Sequence, residues 1–145
     1  MSENAAPVFS QLNIVVSDMG ATLAFYRRLG LAVEGEPDTV HARAALPNGL
    51  LLEWDTAEFA AQWDSGSRGA TPNSTVIGFA VATRQGVDDL YADLTAAGYH
   101  GRQRPWDAFW GARYAIVEDP DGNPVGLMSP IEAEHRSPPA QAPAT

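Results

Sequence analysis

The sequence contains no cysteine, which excludes several kinds of site at once. Disulfide bonds, zinc–thiolate centres, iron–sulfur clusters and thiol nucleophiles all need that side chain. Long hydrophobic runs are lacking too, since no apolar stretch approaches the roughly 18 residues of a membrane-spanning helix. The first residues carry neither a basic nor an apolar segment, so we see no signal peptide and expect a cytoplasmic protein without a membrane partner.

Basic side chains are scarce. Nine Lys and Arg residues stand against 18 Asp and Glu residues, which gives a net charge of −9. Nucleic-acid binding needs a basic surface, so this balance argues against a nucleic-acid partner. An acidic protein can attract a cationic small molecule. Charge alone, however, favours the simpler interpretation that it only keeps the protein in solution.

The chain repeats a β-α-β-β-β pattern. In the first copy we predict a helix at 19–29 and strands at 12–16, 32–36, 40–45 and 50–54. In the second copy we predict a helix at 85–97 and strands at 76–81, 101–104, 113–118 and 124–128. Asn48-Gly49 and Asp121-Gly122 mark matching hairpin turns, because both turn residues tolerate positive φ.

These elements predict a single α+β domain spanning the 145 residues. Its parts are a first module at about 8–55, a linker at about 56–73, a second module at about 74–130 and a disordered tail at about 132–145. Two such modules can form a cupped mixed sheet with helices on the convex side. The concave side is then a cleft suited to a small molecule.

Two segments carry a family resemblance. Residues 110–127 read WGARYAIVEDPDGNPVGL, and residues 17–31 run from Ser-Asp to Phe-Tyr-Arg-Arg-Leu-Gly-Leu. Over about residues 8–130 the chain resembles the vicinal oxygen chelate superfamily, which includes glyoxalase I, bleomycin-resistance proteins and extradiol dioxygenases. These turn and packing motifs are specific for the fold and nearly silent about function.

The resemblance implies four metal-ligand positions, which fall on Gln11, Glu53, Val76 and Gly126. Only Glu53 is a normal metal ligand, since Val76 and Gly126 have no donor side chain and Gln11 is a weak neutral one. We therefore expect no metal and no other cofactor.

The Trp110–Arg113 stretch resembles a signature of bleomycin-resistance-type proteins, which bind a drug without a metal of their own. Trp106 and Trp110 lie in a predicted loop at 104–111, where they could stack on a planar ring or a cation. Packing over the sheet or in a dimer interface is an equally weighted alternative. For Trp54 and Trp63 we favour packing.

Strand alternation indicates which polar side chains face the cleft. Gln11 and Asn13 share one strand face, and His41 shares another with Arg43. The predicted ligand-binding set comprises Gln11, Asn13, His41, Arg43, Glu53, Trp106, Trp110, Arg113 and Tyr114. Three of its members have other interpretations: His41 as an ordinary half-exposed histidine, which we favour, Arg113 as a structural anchor, and Tyr114 as a packing residue.

Three hypotheses about function remain. The first is a metal-independent protein that binds a planar ligand, which can be cationic, for antibiotic sequestration or self-resistance. The second is an enzyme of the lyase, isomerase or dioxygenase class that uses Glu53 or His41 as metal ligand or general base. The third is an interaction module without a ligand. We expect a homodimer in each case, because the sheets expose edges that a partner could cover.

Overall fold

The computed structural model describes residues 8–71 and 75–143. They divide between Ala70 and Thr71 into two units, each with one copy of the repeat. The first unit contains β1 (Gln11–Val16), α1 (Met19–Leu29), β2 (His41–Ala45), β3 (Leu51–Thr56) and α2 (Ala57–Trp63). The second contains β4 (Ile77–Ala80), α3 (Arg84–Ala96), β5 (Gly101–Asp107), β6 (Arg113–Glu118), β7 (Pro124–Met128) and a 3₁₀ helix (Ala133–His135). Two sheets and three α-helices in the described part confirm the predicted α+β fold class, and none of these helices is long and apolar enough to cross a membrane.

The first sheet has the strand order β1-β3-β2, with β1 parallel and β2 antiparallel to the central β3. The helix α1 begins where Asp18 caps it, because the Oδ1 atom of Asp18 accepts a hydrogen bond from the Ala21 amide at 3.0 Å. Tyr26 on this helix is fully buried, and its ring centroid lies 4.9 Å from that of Trp54 on β3. Trp54 is thus a core residue, as the packing interpretation predicts.

The second sheet has the strand order β4-β7-β6-β5, with β4 parallel to β7. The helix α3 begins after Thr83, whose Oγ1 atom accepts from the Gly86 amide at 2.9 Å. Its apolar face is buried through Val87 and Leu94. The turn after β6 carries the family-like sequence, and Asp119 holds it by accepting hydrogen bonds from Asp121 and Asn123, so its role is structural.

The strand predicted at 32–36 is wrong. An isolated bridge between Glu34 and Arg43 is the only strand-like pairing of this segment. The reason lies in Gly35, whose φ of 142° interrupts an extended strand, and in the proline that follows at position 37.

The strand predicted at 101–104 is longer than expected. Strand β5 continues through Pro105 and Trp106 to Asp107. Trp106 therefore lies in a strand, and the first part of the loop predicted at 104–111 is wrong. A proline is tolerated there because β5 is the edge strand of its sheet, and the register shifts on both sides of Gln103 accommodate it.

Between residues 132 and 137 the tail is not disordered, contrary to the prediction. Glu132 donates its amide hydrogen to the Gly111 carbonyl at 3.0 Å, and Ser137 donates to the Phe109 carbonyl at 3.0 Å. These backbone bonds tie the 3₁₀ helix to the turn before β6, which composition alone does not reveal. Residues 72–74, where the predicted linker meets the second module, and residues 144–145 of the tail lie outside the described residues.

Candidate functional site

A pocket of about 230 Å³ lies on the first sheet, on the face that β3 turns away from Trp54. All of its lining residues come from β1, β2, β3 and α2. They are Gln11, Asn13, His41, Glu53, Asp55, Phe59 and Trp63.

Strand register brings the polar lining together. Asn13 on β1 pairs with Glu53 on β3, and Arg43 on β2 pairs with the same residue from the other side. His41 pairs with Asp55 one step along the same face. Because successive side chains of a strand point to opposite faces, these residues project on one side of the sheet.

Hydrogen bonds link the side chains into a chain of donors and acceptors. Gln11 donates from Nε2 to Oδ1 of Asn13 at 2.9 Å. Asn13 in turn donates from Nδ2 to Oε1 of Glu53 at 3.2 Å and to Oδ2 of Asp55 at 3.1 Å. The two carboxylates are buried, with 5% and 1% exposure, so the Asn13 amide replaces water that burial has removed.

His41 lies between the two acids. Its Nδ1 atom is 2.5 Å from Oδ1 of Asp55, and its Nε2 atom is 3.8 Å from Oε2 of Glu53. A carboxylate only accepts, so Nδ1 carries the hydrogen of the shorter contact. The ring is about a third exposed, at 31%, and it lines the pocket. His41 is therefore the partly exposed strand histidine that the sequence favours, and because it also lines the pocket beside two acids, ligand binding by His41 stays a prediction.

The pocket has an aromatic side built from α2. This helix starts at Thr56, whose Oγ1 atom accepts from the Phe59 amide at 3.3 Å. The Phe59 ring centroid lies 5.8 Å from that of His41. Trp63, one helical turn later, also lines the pocket and is 51% exposed. Trp63 is therefore not buried over the sheet, and whether it packs in a dimer interface or meets a ligand stays a prediction.

The charge of the site is acidic. The Arg43 guanidinium lies 3.3 Å from Glu53, but its side chain is half exposed and outside the pocket lining. Water therefore screens that ion pair. Two buried carboxylates remain beside a single imidazole, and a cation placed among them would be stabilised.

The predicted site residues of the second unit form a separate aromatic cluster. Rings of Trp106, Phe109, Trp110 and Tyr114 pack edge to face, with centroid distances between 5.0 and 6.4 Å. The Trp110 indole donates to the Met128 sulfur at 3.3 Å. The Trp106 indole nitrogen is buried and has no hydrogen-bond partner in the part of the chain that the structure describes. Ligand binding by Trp106, Trp110 and Tyr114 stays a prediction.

Arg113 is held by two acids, as its anchoring interpretation predicts. Its guanidinium lies 2.9 Å from Asp88 on α3 and 3.1 Å from Asp107 on β5, and Arg84 also pairs with Asp107. Burial on its own would lower the pKa of Arg113, but the bonds to Asp88 and Asp107 raise it. Burial likewise would raise the pKa of Asp107, and the bonds from Arg84 and Arg113 lower it.

The residues at the implied metal-ligand positions do not fit a metal. A Cβ atom at Gly126 would lie 2.9 Å from the Tyr114 hydroxyl and 3.3 Å from the Val76 side chain, so these two occupy the space that a ligand side chain there would need. In the first unit, Gln11 donates to Asn13 and Glu53 accepts from Asn13.

Possible metal ligands converge elsewhere. Across residues 8–71 and 75–143, one group of three brings its ligand atoms within 4.8 Å of one another: Glu132, Glu134 and His135 in the tail. This group is largely exposed, and exposed acids commonly cluster without an ion. We assign it no role.

Sequence reasoning missed Asp55, Phe59 and Trp63. Asp55 stands one residue past the end of the strand predicted at 50–54, and its alternation with Glu53 is a signal that could have revealed it. Phe59 and Trp63 stand four residues apart, and this spacing places them on one face of α2.

Comparison with known proteins gives one family. The sequence model of the Glyoxalase/Bleomycin resistance protein/Dioxygenase superfamily matches residues 8–127. A search of curated proteins finds no match.

Solved structures agree on the fold. A hypothetical protein from S. aureus is similar with a TM-score of 0.72 and 20% identity, covering 88% of this chain and 97% of that one. A glyoxalase/bleomycin resistance protein/dioxygenase family enzyme from Burkholderia phytofirmans has a TM-score of 0.69 and 21% identity, covering 83% and 97%. A lactoylglutathione lyase from Agrobacterium tumefaciens has a TM-score of 0.65 and 16% identity, covering 88% and 96%. Because the family model spans most of the sequence, the chain belongs to the glyoxalase/bleomycin resistance protein/dioxygenase superfamily.

Proposed function

We propose that the pocket of the first unit binds a small planar cation without a metal, and that the protein sequesters such a molecule. One observation carries this proposal: two buried carboxylates, Glu53 and Asp55, share a pocket with the half-exposed indole of Trp63. A planar cation is the ligand class that uses both features at once.

The acids supply the charge selectivity. A buried carboxylate is costly unless it is paired, and Asn13 supplies neutral donors only. Arg43 offsets one of the two charges from a half-exposed position 3.3 Å from Glu53, and a ligand cation in the pocket would offset the other. The net charge of −9 would also speed the approach of a cation.

The aromatic side supplies the shape selectivity. Trp63 presents a flat, polarizable surface, and an indole face attracts cations as well as planar rings. This assigns the stacking surface to Trp63 rather than to Trp106 and Trp110, whose rings pack mainly against one another.

A sequestering role suits such a pocket and the bleomycin-resistance members of this superfamily. Sequestration needs affinity and selectivity but no chemical step. Antibiotic sequestration or self-resistance is therefore the biological role that we propose for the protein.

Tryptophan fluorescence, titrated with proflavine as a planar aromatic cation, tests the location of the site. We expect saturable quenching that largely disappears in Trp63→Phe, and an affinity lowered about tenfold or more in Glu53→Gln. Glu58→Gln is the matched control, since Glu58 is an exposed acid of α2 and its loss changes the net charge equally. Equal binding by all variants, or none by the wild type, would contradict the proposal.

A further inference from the structure

We propose that His41 acts as a general base on a ligand held in this pocket, with Asp55 as its positioning residue. The substrate class is a planar carbon acid, a molecule whose C–H bond is acidified by a carbonyl or imine group at that carbon or next to it. This inference rests on the proposed function, because it uses the same pocket, and it adds a proton-transfer activity to binding.

The first argument concerns the tautomer of His41. The Asp55 carboxylate is 1% exposed and lies 2.5 Å from Nδ1, so it fixes the ring hydrogen on that nitrogen. In the neutral imidazole, the lone pair is then on Nε2. A histidine oriented in this way by a buried carboxylate is poised to accept a proton at its other nitrogen.

The second argument concerns the surroundings of Nε2. Its nearest acidic partner is Oε2 of Glu53 at 3.8 Å, which is beyond hydrogen-bonding distance but close enough to stabilise a positive ring. Accepting a proton on Nε2 would therefore place an imidazolium between two carboxylates. The guanidinium of Arg43 lies 3.3 Å from the same Oε2 atom of Glu53, and its side chain is half exposed, so water screens its charge.

The proton transfer balances without any further reagent. Nε2 of His41 removes the hydrogen as a proton, and the electron pair of the broken C–H bond moves into the adjacent unsaturated group of the ligand. Return of the proton from Nε2 to the same or a neighbouring atom gives exchange or isomerisation and restores the neutral ring.

The probe that we choose is 5-nitrobenzisoxazole, a planar carbon acid. When His41 removes the ring C–H proton, the electron pair of that bond forms the third carbon–nitrogen bond of a nitrile. The N–O bond breaks and its pair leaves on the phenolate oxygen, whose colour reports the rate. No metal, oxidant or reductant is required.

We expect wild-type protein to accelerate this reaction with saturation, and proflavine to inhibit it competitively. His41→Gln should lower kcat about 10²-fold, in the range of general-base contributions. His100→Gln is the matched control, since it makes the same change at an exposed histidine of the second unit, and it should leave the rate unchanged.

Asp55→Asn tests the positioning role. The amide can donate to Nδ1, which would move the hydrogen to Nε2 and remove the base, so kcat should fall more than about tenfold with KM nearly constant. Because Asp55 is buried and its variant could unfold, the partly exposed His41 provides the second, independent test.

The outcomes separate the two proposals. If proflavine binds but the probe reacts no faster than with His41→Gln, the general-base inference is overturned and the binding function stands. If proflavine does not bind while the probe still reacts through His41, the planar-cation proposal fails alone. If neither occurs, both are wrong.

Discussion

The Asn13 amide on β1 donates to the Glu53 carboxylate on β3 at 3.2 Å, across the position where the two strands pair. Its second bond reaches Asp55 at 3.1 Å, so one amide serves two buried acids that repel each other. The two buried carboxylates of the pocket therefore depend on the neutral side-chain amide of Asn13, which lies in the sheet itself.

Replacing this amide should destabilise the protein. Asn13→Leu keeps the approximate volume but removes both donors, and hydrogen bonds to charged groups contribute about 1.5–3 kcal/mol each. We expect the free energy of unfolding to fall by about 3 kcal/mol or more, measured by urea denaturation. Gln11→Ala, which removes only the exposed donor to Asn13, should cost less than about 0.5 kcal/mol. Equal losses in the two variants would show that the amide does not hold the acids.

The space over Gly126 should tolerate no added side chain. Gly126→Ala places a Cβ 2.9 Å from the Tyr114 hydroxyl, and overpacking of this kind costs about 1–3 kcal/mol. Gly78 pairs with Gly126 in the sheet but has nothing within 4 Å of a Cβ, so Gly78→Ala is the matched control and should not destabilise.

A double-mutant cycle with Tyr114→Phe checks the cause. Removing the hydroxyl should restore part of the stability that Gly126→Ala loses, as seen in thermal unfolding. Additive effects would mean that Tyr114 does not fill this space.

The ion pairs around Asp107 should give a small acid-dependent stability term. Because Arg84 and Arg113 lower the pKa of Asp107 below its ordinary 3.8, the contribution is fully present above that value and is lost as the pH falls through the lower folded value. The side chain is 68% exposed, so screening limits the term to less than about 1 kcal/mol.

Unfolding of Asp107→Asn and the wild type, followed from pH 7 to pH 2, measures this term. The difference between them should shrink in acid, and Asp38→Asn, the same change at an exposed acid outside these ion pairs, is the control. If the difference in unfolding free energy between Asp107→Asn and the wild type grew in acid, the prediction would be contradicted.

The two repeated turns should differ in strength. Oδ1 of Asp119 accepts from the amides of Asp121 and Asn123, and Oδ2 accepts from the Asn123 side chain, each at 2.9 Å. Asn48 in the first turn accepts a single exposed bond from the Leu50 amide at 3.1 Å. Asp119→Ala should therefore lower the unfolding free energy by about 2–3 kcal/mol and Asn48→Ala by about 0.5–1 kcal/mol. Comparable denaturant midpoints for the two variants would contradict this ranking.

Part of the pocket was predictable from alternation alone. The spacing of Gln11 with Asn13 and of His41 with Arg43 places each pair on one face, and the structure has both pairs there. The contact between His41 and Asp55 was not predictable, because it depends on the register of the β2–β3 hairpin.

That register follows from the turn. Leu46 donates to the Leu50 carbonyl at 2.8 Å, so three residues turn, with Gly49 at φ 88°. A two-residue turn at Asn48-Gly49 would shift the pairing by one residue and move His41 away from Asp55.

The course of β5 shows a second limit of sequence reasoning. Pro105 looks like a strand terminator until the strand is known to lie at the edge of its sheet, and strand order is set by long-range pairing. The cupped arrangement of the two modules, the homodimer and the cytoplasmic location stay predictions.

Calorimetric titration of chelator-treated protein with proflavine tests the central claim most directly. The account predicts about one equivalent bound per chain, an affinity unchanged when Mn²⁺, Ni²⁺ or Zn²⁺ is added, and a large loss of affinity in Glu53→Gln. No binding heat, or binding that appears only after a divalent metal is restored, would contradict it.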